Sequence, residues 1–432
     1  MSASKELIEM KRIISILAIA MICAVGCDLD MEPHSAVSPN SVGTQDIVSL
    51  RSGMYIKVQE NPGERAYIMF DLFGGNLTTK ASKNSIDLIN SLSTAMSGEV
   101  LDQWQGFYKA LMQVNNVYSI AQGLEDGAMR NKVLGECHYF RAYLHLCLVT
   151  RFGDVPLMKQ NTDDKVARTP AAEVWGFIYD ELDEAISLLG APDEGYYYLS
   201  ADAAKALKAR VCLYMGKKTE AAQLAEGLIN DARYGLDGFD KIFRAGNNKE
   251  IIFAFSCLNT DQSKIAISTL FYSYNHPNSG SYVYAPAADV MTMYDDKDLR
   301  KDISITTLDN LNFINKYPSG QKGTDPVVIS RLAEMYLISA EAQGVENGLS
   351  RLNELREMRG LDKVFPSSES EFINALLDER RKELLCEGHR WYDLVRTGKA
   401  VEKLGIKQYQ TLMPIPEAER QANRNLTQND GY

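Results

Sequence analysis

The stretch ERRKELLCEGHRWYDLVRTGKA, residues 379–400, decides how this chain is read. It carries one of five histidines, one of seven cysteines and one of three tryptophans. It is either an active site or the packed inside of a helical fold. Read as one helix, Glu387 and His389 lie two apart and point about 200° away from each other. They do not converge, and no HExxH spacing for zinc is present. Cys386, His389 and Asp393 fall at i, i+3 and i+7 on one face, a spacing open to a Cys-His-Asp site or to three metal ligands. Nothing nearby completes such a site: no second cysteine, no Gly-rich oxyanion turn, no further histidine at ligand spacing. Leu384, Gly388, Trp391 and Val395 line a second face. Glycine inside a helix costs about 1 kcal/mol against alanine, so close packing is expected at Gly388. The segment is expected to be structural, with Asp393 paired to Arg390 or Arg396.

Working outward, the chain is mostly helical with a loop-rich middle. Residues 44–59 open on Thr44 as cap and carry apolar Ile47, Leu50, Met54 and Val58. Residues 100–124 form a longer amphipathic pattern. In 135–157, Phe140, Tyr143, Leu144, Cys147 and Leu148 share one face, closed by Gly153 and Pro156. Residues 169–190 start with Thr169 as cap and Pro170 in the first turn. Two stretches, 204–229 and 331–360, share a helix-Gly-helix plan with small residues where two helices meet, similar to tetratricopeptide hairpins. EIIFAFSC (250–257) reads as a short strand. From 258 to about 325 the chain is rich in Asn, Ser, Thr, Asp, Gly and Pro, with clustered aromatics. Long irregular segments on a rigid scaffold are where binding commonly sits.

The chain has 432 residues, 45% apolar and 24% charged, with a formal net charge of -11. The acidic balance argues against nucleic acid, whose phosphates need a basic surface. Lys11 and Arg12 precede ISILAIAMICAVG, an apolar run of signal-peptide length. Ala24-Val25-Gly26-Cys27 follows as a bacterial lipobox. The expected organisation is a signal peptide over 1–26, a lipidated Cys27 opening an acidic and then Pro/Ser-rich tether over 27–43, and one domain over 44–432. The five remaining cysteines are odd in number and form no CxxC pair. Neither a disulfide framework nor a zinc knuckle is expected, and no motif implies a metal or a cofactor.

FYSYNHPNSGSYVYAP (271–286) holds the candidate ligand-binding residues Tyr272, Tyr274, Tyr282 and Tyr284. Flat rings among hydrogen-bonding neighbours suit stacking on sugar rings or gripping a peptide. Packing of the loops onto the helical body is the competing reading. The alternation Tyr282-x-Tyr284 places both rings on one face of a strand. GGNLTTKASKN (74–84) is a polar loop in which Asn76, Thr78 and Lys80 are candidates for a polar ligand. Tyr196, Tyr197 and Tyr198 are expected in core packing or hairpin lining. His138 and His145 are expected as buried or rim histidines. No GxSxG, Walker or EF-hand spacing is present.

Together these motifs resemble the SusD/RagB family of outer-membrane lipoproteins from Bacteroidetes. ERRKELLCEGHRWYDLVRTGK is similar to the family's ERRxELxxEGxRxxDLxRxG signature. FRAYLHLCLVTRFGDVPL, RLAEMYLISAEA and LMPIPEAERQANRNLTQNDGY resemble three further family stretches, and the acidic residues after Cys27 resemble a surface-export signal. The resemblance implies an α-helical fold of four tetratricopeptide-like helix pairs with an irregular ligand-facing region at about 255–325. It implies a non-catalytic cell-surface protein that captures an oligosaccharide, or in RagB-like members an oligopeptide, and works with a SusC-like TonB-dependent transporter. A helical-repeat scaffold that docks a partner without a small ligand is the remaining alternative.

Overall fold

Helix packs on helix in chain order here, because each carries an apolar stripe that needs cover. The computed structural model describes residues 43–79, 83–245, 247–257 and 265–432. Cys27, Lys80 and the expected signal peptide lie outside the described residues, as does the tether up to residue 42. Thr44–Asp46 is a single 3-10 turn.

The compact unit Ile47–Tyr432 opens with α1 (Ile47–Glu60) and α2 (Glu64–Phe73). Strand β1 (Leu77–Thr78) and α3 (Lys83–Ile89) follow. Five scaffold helices come next: α4 (Gly98–Gln122), α5 (Ala128–Phe152), α6 (Ala171–Leu188), α7 (Ala201–Tyr214) and α8 (Lys218–Ile229). The middle holds β2 (Ile251–Phe255), β3 (Ala285–Pro286), α9 (Lys301–Ser304), β4 (Ile305–Leu308), β5 (Leu311–Ile314) and β6 (Val327–Arg331). The chain closes with α10 (Leu332–Met358), α11 (Glu369–Glu383), α12 (Arg390–Arg396), α13 (Ala400–Leu404) and α14 (Glu417–Ala422). Packing runs α1 on α4, α4 on α5, α5 on α6, α6 on α7, α7 on α8, α8 on α10 and α10 on α11. Short connections between successive neighbours make this a mostly α, tetratricopeptide-like series of helix pairs. The 331–360 hairpin is one continuous stretch of helical hydrogen bonding broken at Gly344, where φ is 71°.

The start of α6 differs from the sequence expectation. Thr169 does not cap it; its backbone pairs with Val155 in a β-bridge. The first amide, Ala171 N, donates instead to Asp154 Oδ1 at 2.8 Å. The Asp of the FGDVPL stretch thus satisfies a helix terminus that no preceding residue covers.

Among the described residues the strands form three two-stranded antiparallel sheets: β1–β3 ties the first loop to the middle, β2–β6 leads into α10, and β4–β5 is a hairpin within the middle. The β2–β6 pair is buried at every position and confirms the short strand expected near 250–257. The β1–β3 register pairs Leu77 with Pro286 and Thr78 with Ala285. That register brings the 74–79 loop beside the tyrosine loop, about 200 residues later in the chain. Of the five described cysteines, four are buried as small apolar side chains.

Candidate functional site: a polar cleft on the loop-rich side

The signature segment is not one helix. Helix α11 ends at Glu383, and Leu384–His389 form a turn before α12 begins. Cys386 has φ 58° and Gly388 φ 78°, both left-handed. The helical faces expected from spacing therefore do not exist, and Cys386, His389 and Asp393 do not share one. A Cβ at Gly388 would lie 2.7 Å from the Tyr67 carbonyl oxygen. The close approach expected there is real, but the neighbour is backbone and the conformation is a turn.

Asp71 fixes that turn by accepting from Cys386 N at 2.8 Å and Gly388 N at 3.0 Å. Burial pushes its carboxyl up to about 6, and the hydrogen bonds from Asn76 and these two amides oppose the rise. Asn76 donates to Asp71 Oδ1 at 2.8 Å and accepts from Arg381 Nε at 2.7 Å. It is fully buried, so the structure turns this candidate ligand residue inward.

Around the turn lies a knot of buried charge. Glu383 accepts from Arg300 at 2.8 Å, Arg331 at 2.6 Å and Arg359 at 2.9 Å. Glu250 accepts from Arg331 at 2.7 Å and Arg359 at 2.9 Å. Glu387 takes Arg331 Nε at 2.7 Å and also Lys316 Nζ. Burial alone would raise the Glu383 carboxyl; Arg359, Arg331 and Arg300 outweigh it and hold it well below the usual range. The other reactive groups are likewise occupied. Burial lifts the Cys386 thiol far above a normal cysteine and lowers the His389 imidazole to about 4. Asp393 binds Arg380 at 2.7 Å and Arg396 at 2.8 Å. This is a structural knot in which the described carboxylates are paired. The pairing of Asp393 with Arg396 was expected; that with Arg380 was not. The helix histidines also sit inside: His138 meets Glu181 at 3.0 Å, and His145 bridges the Arg141 carbonyl and the Met158 amide.

The tyrosine loop divides. Tyr272 is fully buried, donates to Asn315 Oδ1 at 2.8 Å and stacks on Phe313 with centroids 5.8 Å apart. Tyr284 is 1% exposed. Tyr282 is half-buried, donates to the Asn312 carbonyl at 3.1 Å and packs against Phe313. Its φ of 49° breaks the strand on which Tyr282 and Tyr284 were expected to alternate. Tyr274 stands out at 80% exposed. The packing reading holds for Tyr272 and Tyr284, and Tyr274 is the ring left to solvent.

The same loop runs on into one wall of an open cleft of about 620 Å³. Tyr197, Phe243, Arg244, Asn278, Lys322 and Asp325 line it. Walls 277–279 and 318–326 touch closely, since a Cβ at Gly320 (φ 57°) would fall 1.3 Å from the Asn278 carbonyl oxygen. Arg244 is held by main-chain carbonyls: Phe243 at 3.1 Å, Lys316 at 2.9 Å, Ile303 at 3.0 Å, and Asn315. Asp325 turns inward, accepting from Ser319 N and Oγ. The signature turn anchors this wall, because Lys316 Nζ donates to the Leu385 carbonyl at 2.9 Å and Tyr317 Oη to the Cys386 carbonyl at 2.8 Å. A second cavity, of about 80 Å³, lies inside against Tyr67, Arg151, Arg210, Tyr317 and His389. It has room for a few waters but not for an oligosaccharide.

Sequence reading missed Tyr197, Arg244, Lys322 and Asp325. Tyr197 was assigned to core or hairpin lining, and it does line the hairpin's edge, facing the cleft. The others come from turns separated by some 80 residues, with no local pattern to flag them.

Two family models match the chain, "SusD family" over residues 308–410 and "Starch-binding associating with outer membrane" over 29–213. These ranges contain the RLAEMYL, ERRKEL and FRAYLHL motifs. The chain belongs to the SusD/RagB family. A SusD-like protein, P2, from Formosa agariphila is 24% identical, covering 96% of this chain and 98% of that protein. The starch-binding protein SusD of Bacteroides thetaiotaomicron is 34% identical over 122 residues, 24% of this chain and 21% of that protein. Among solved structures, a laminarin-binding SusD-like protein superposes with TM-score 0.78 at 23% identity, covering 90% of this chain and all of the other. Surface glycan-binding protein A from Bacteroides fluxus does so with TM-score 0.80 at 21% identity, with the same coverage. This SusD-family member thus shares its fold with both, and its cleft is walled mainly by turns of the loop-rich middle, with Tyr197 added from the connection between α6 and α7.

Proposed function

We propose that this SusD-family protein is a non-catalytic glycan-binding lipoprotein. It captures an oligosaccharide at the cell surface and delivers it to a SusC-like TonB-dependent outer-membrane transporter. The carrying observation is the exposed Tyr274 ring on a loop that continues into a polar cleft on the family's helical scaffold. A flat ring offers a stacking face, and asparagine, serine and arginine around a shallow cleft offer hydrogen bonds to hydroxyls. Relatives described as starch-binding, laminarin-binding and surface glycan-binding support the ligand class. Lipidation at Cys27, a tether over 27–43, a single domain over 44–432 and an outward-facing position belong to the same proposal. The family description of outer-membrane association supports the location.

Calorimetry of the protein against a panel of oligosaccharides tests the reading. Binding to at least one glycan, weakened by Tyr274→Ala, is the expected result. Silence on every glycan together with binding to oligopeptides would replace the sugar by a peptide. Labelling with a lipid precursor, lost in Cys27→Ala, tests the anchor.

A further inference from the structure

The cleft carries a charge imbalance that the rest of the molecule does not lead one to expect. The chain holds 57 acidic against 46 basic residues, and nearly every buried cation described above faces a carboxylate. In the cleft lining the cations are Arg244 and Lys322, both exposed. Among the described residues neither makes an ion pair. Among the described residues the one carboxylate in the lining, Asp325, is 9% exposed and accepts from Ser319 within its own turn.

Arg244 is also fixed in place. Its two terminal nitrogens donate to four main-chain carbonyls on the 243, 303, 315 and 316 positions. Carbonyls orient a guanidinium without cancelling its charge, so the cation is held ready at the cleft wall rather than ordered on binding. Lys322 sits on the short Gly320–Lys322 turn and adds an exposed ammonium to the same lining.

From this placement we infer that the cleft selects an anionic oligosaccharide, one bearing carboxylate or sulfate groups, over a neutral one. The inference rests on the glycan-binding reading and deepens it. A charged group on the sugar would meet the Lys322 ammonium and the positive field of Arg244, neither of which is ion-paired among the described residues, with Asp325 turned to Ser319. Tyr197 on the same lining would take the apolar ring face.

The test is calorimetry of the full chain against three probes of equal length: an oligogalacturonide, a sulfated galactan oligosaccharide and a neutral glucan oligosaccharide. One or both anionic probes should bind at least about tenfold more tightly than the neutral one, since Lys322 offers ammonium donors and Arg244, its terminal N–H groups spent on carbonyls, adds an attractive charge. The preference should shrink as salt rises from 20 to about 500 mM, through screening. Lys322→Gln, at a side chain without a hydrogen-bond partner among the described residues, should cut anionic binding by about threefold to tenfold and change neutral binding by clearly less. Arg244→Gln should remove most of the preference, with its unfolding midpoint checked because it also staples carbonyls. Comparing the uronate with the sulfate arm tells which acid is taken. Equal or tighter binding of the neutral glucan, insensitive to salt and to Lys322→Gln, would overturn the anionic selection while leaving glycan binding intact. No binding of any probe, charged or neutral, would overturn both.

Discussion

The signature turn and the cleft both hold arginine, lysine and carboxylate side chains, with opposite access to water for the cations. Around Glu383 and Glu387, three arginines and a lysine are buried to within 1% and matched to carboxylates. Around the cleft, Arg244 and Lys322 are exposed without carboxylate partners, and Tyr274 stands free. Crowding of chemistry in sequence thus marks the packed region, and dispersed residues from separate turns build the open one. The two regions are coupled, since the signature turn holds Lys316 and Tyr317 and so sets the wall at 318–326.

The comparison breaks most sharply at Glu383. Glu383→Ala leaves Arg300, Arg331 and Arg359 buried with an unmatched charge, and breaking a buried pair from one side costs about 5 kcal/mol. Denaturant unfolding should show that loss, or the variant should fail to accumulate folded; a shift below about 1 kcal/mol would mean the knot is solvated. The tyrosine loop supplies the next contrast. Tyr272→Ala removes a buried ring and its bond to Asn315, worth about 4 kcal/mol by analogy with other buried aromatics.

Acid should separate the regions as well. Burial lowers both His145 and His389 from 6.5 to about 4. Their contribution is fully present above the unfolded value and is lost as pH falls from 6.5 toward 4, because the unfolded chain takes up protons first. Asp71, raised from 3.8 to about 6, works in the opposite direction over its own window. Two imidazoles against one carboxyl leave a net loss on the order of 3 kcal/mol between pH 7 and pH 4.5. Unfolding midpoints measured at both pH values check this, and a midpoint that does not fall would contradict it. The smallest effect belongs to Tyr274→Ala, which should change stability by less than about 0.5 kcal/mol while weakening glycan binding about tenfold. Loss of stability there would show that the ring packs in solution.

Legibility followed the range of the forces involved. The helices of 100–124, 135–157, 204–229 and 331–360 were readable because an apolar stripe repeats locally every three to four residues. The buried roles of Cys386, His389 and the signature carboxylates were readable from the lack of a completing site. The break at 384–389 was not. Strong helix formers such as Leu384, Leu385 and Glu387 hide it, and the turn exists because Asp71, more than 300 positions away, accepts the Cys386 and Gly388 amides. The same long reach buried Asn76, which looks like a loop residue until Asp71 and Arg381 are placed around it.

What the sequence determined alone was the class of the molecule: amphipathic periodicity, glycine-punctuated hairpins and family motifs are short-range patterns that one chain displays in order. What only the tertiary structure decided was which polar groups remain available. Whether Tyr272 or Tyr274 meets water, and whether Arg244 or Arg331 keeps its charge uncompensated, depends on partners brought from about 40 to 80 residues away. Desolvation and pairing act through space, and no spacing along the chain records them.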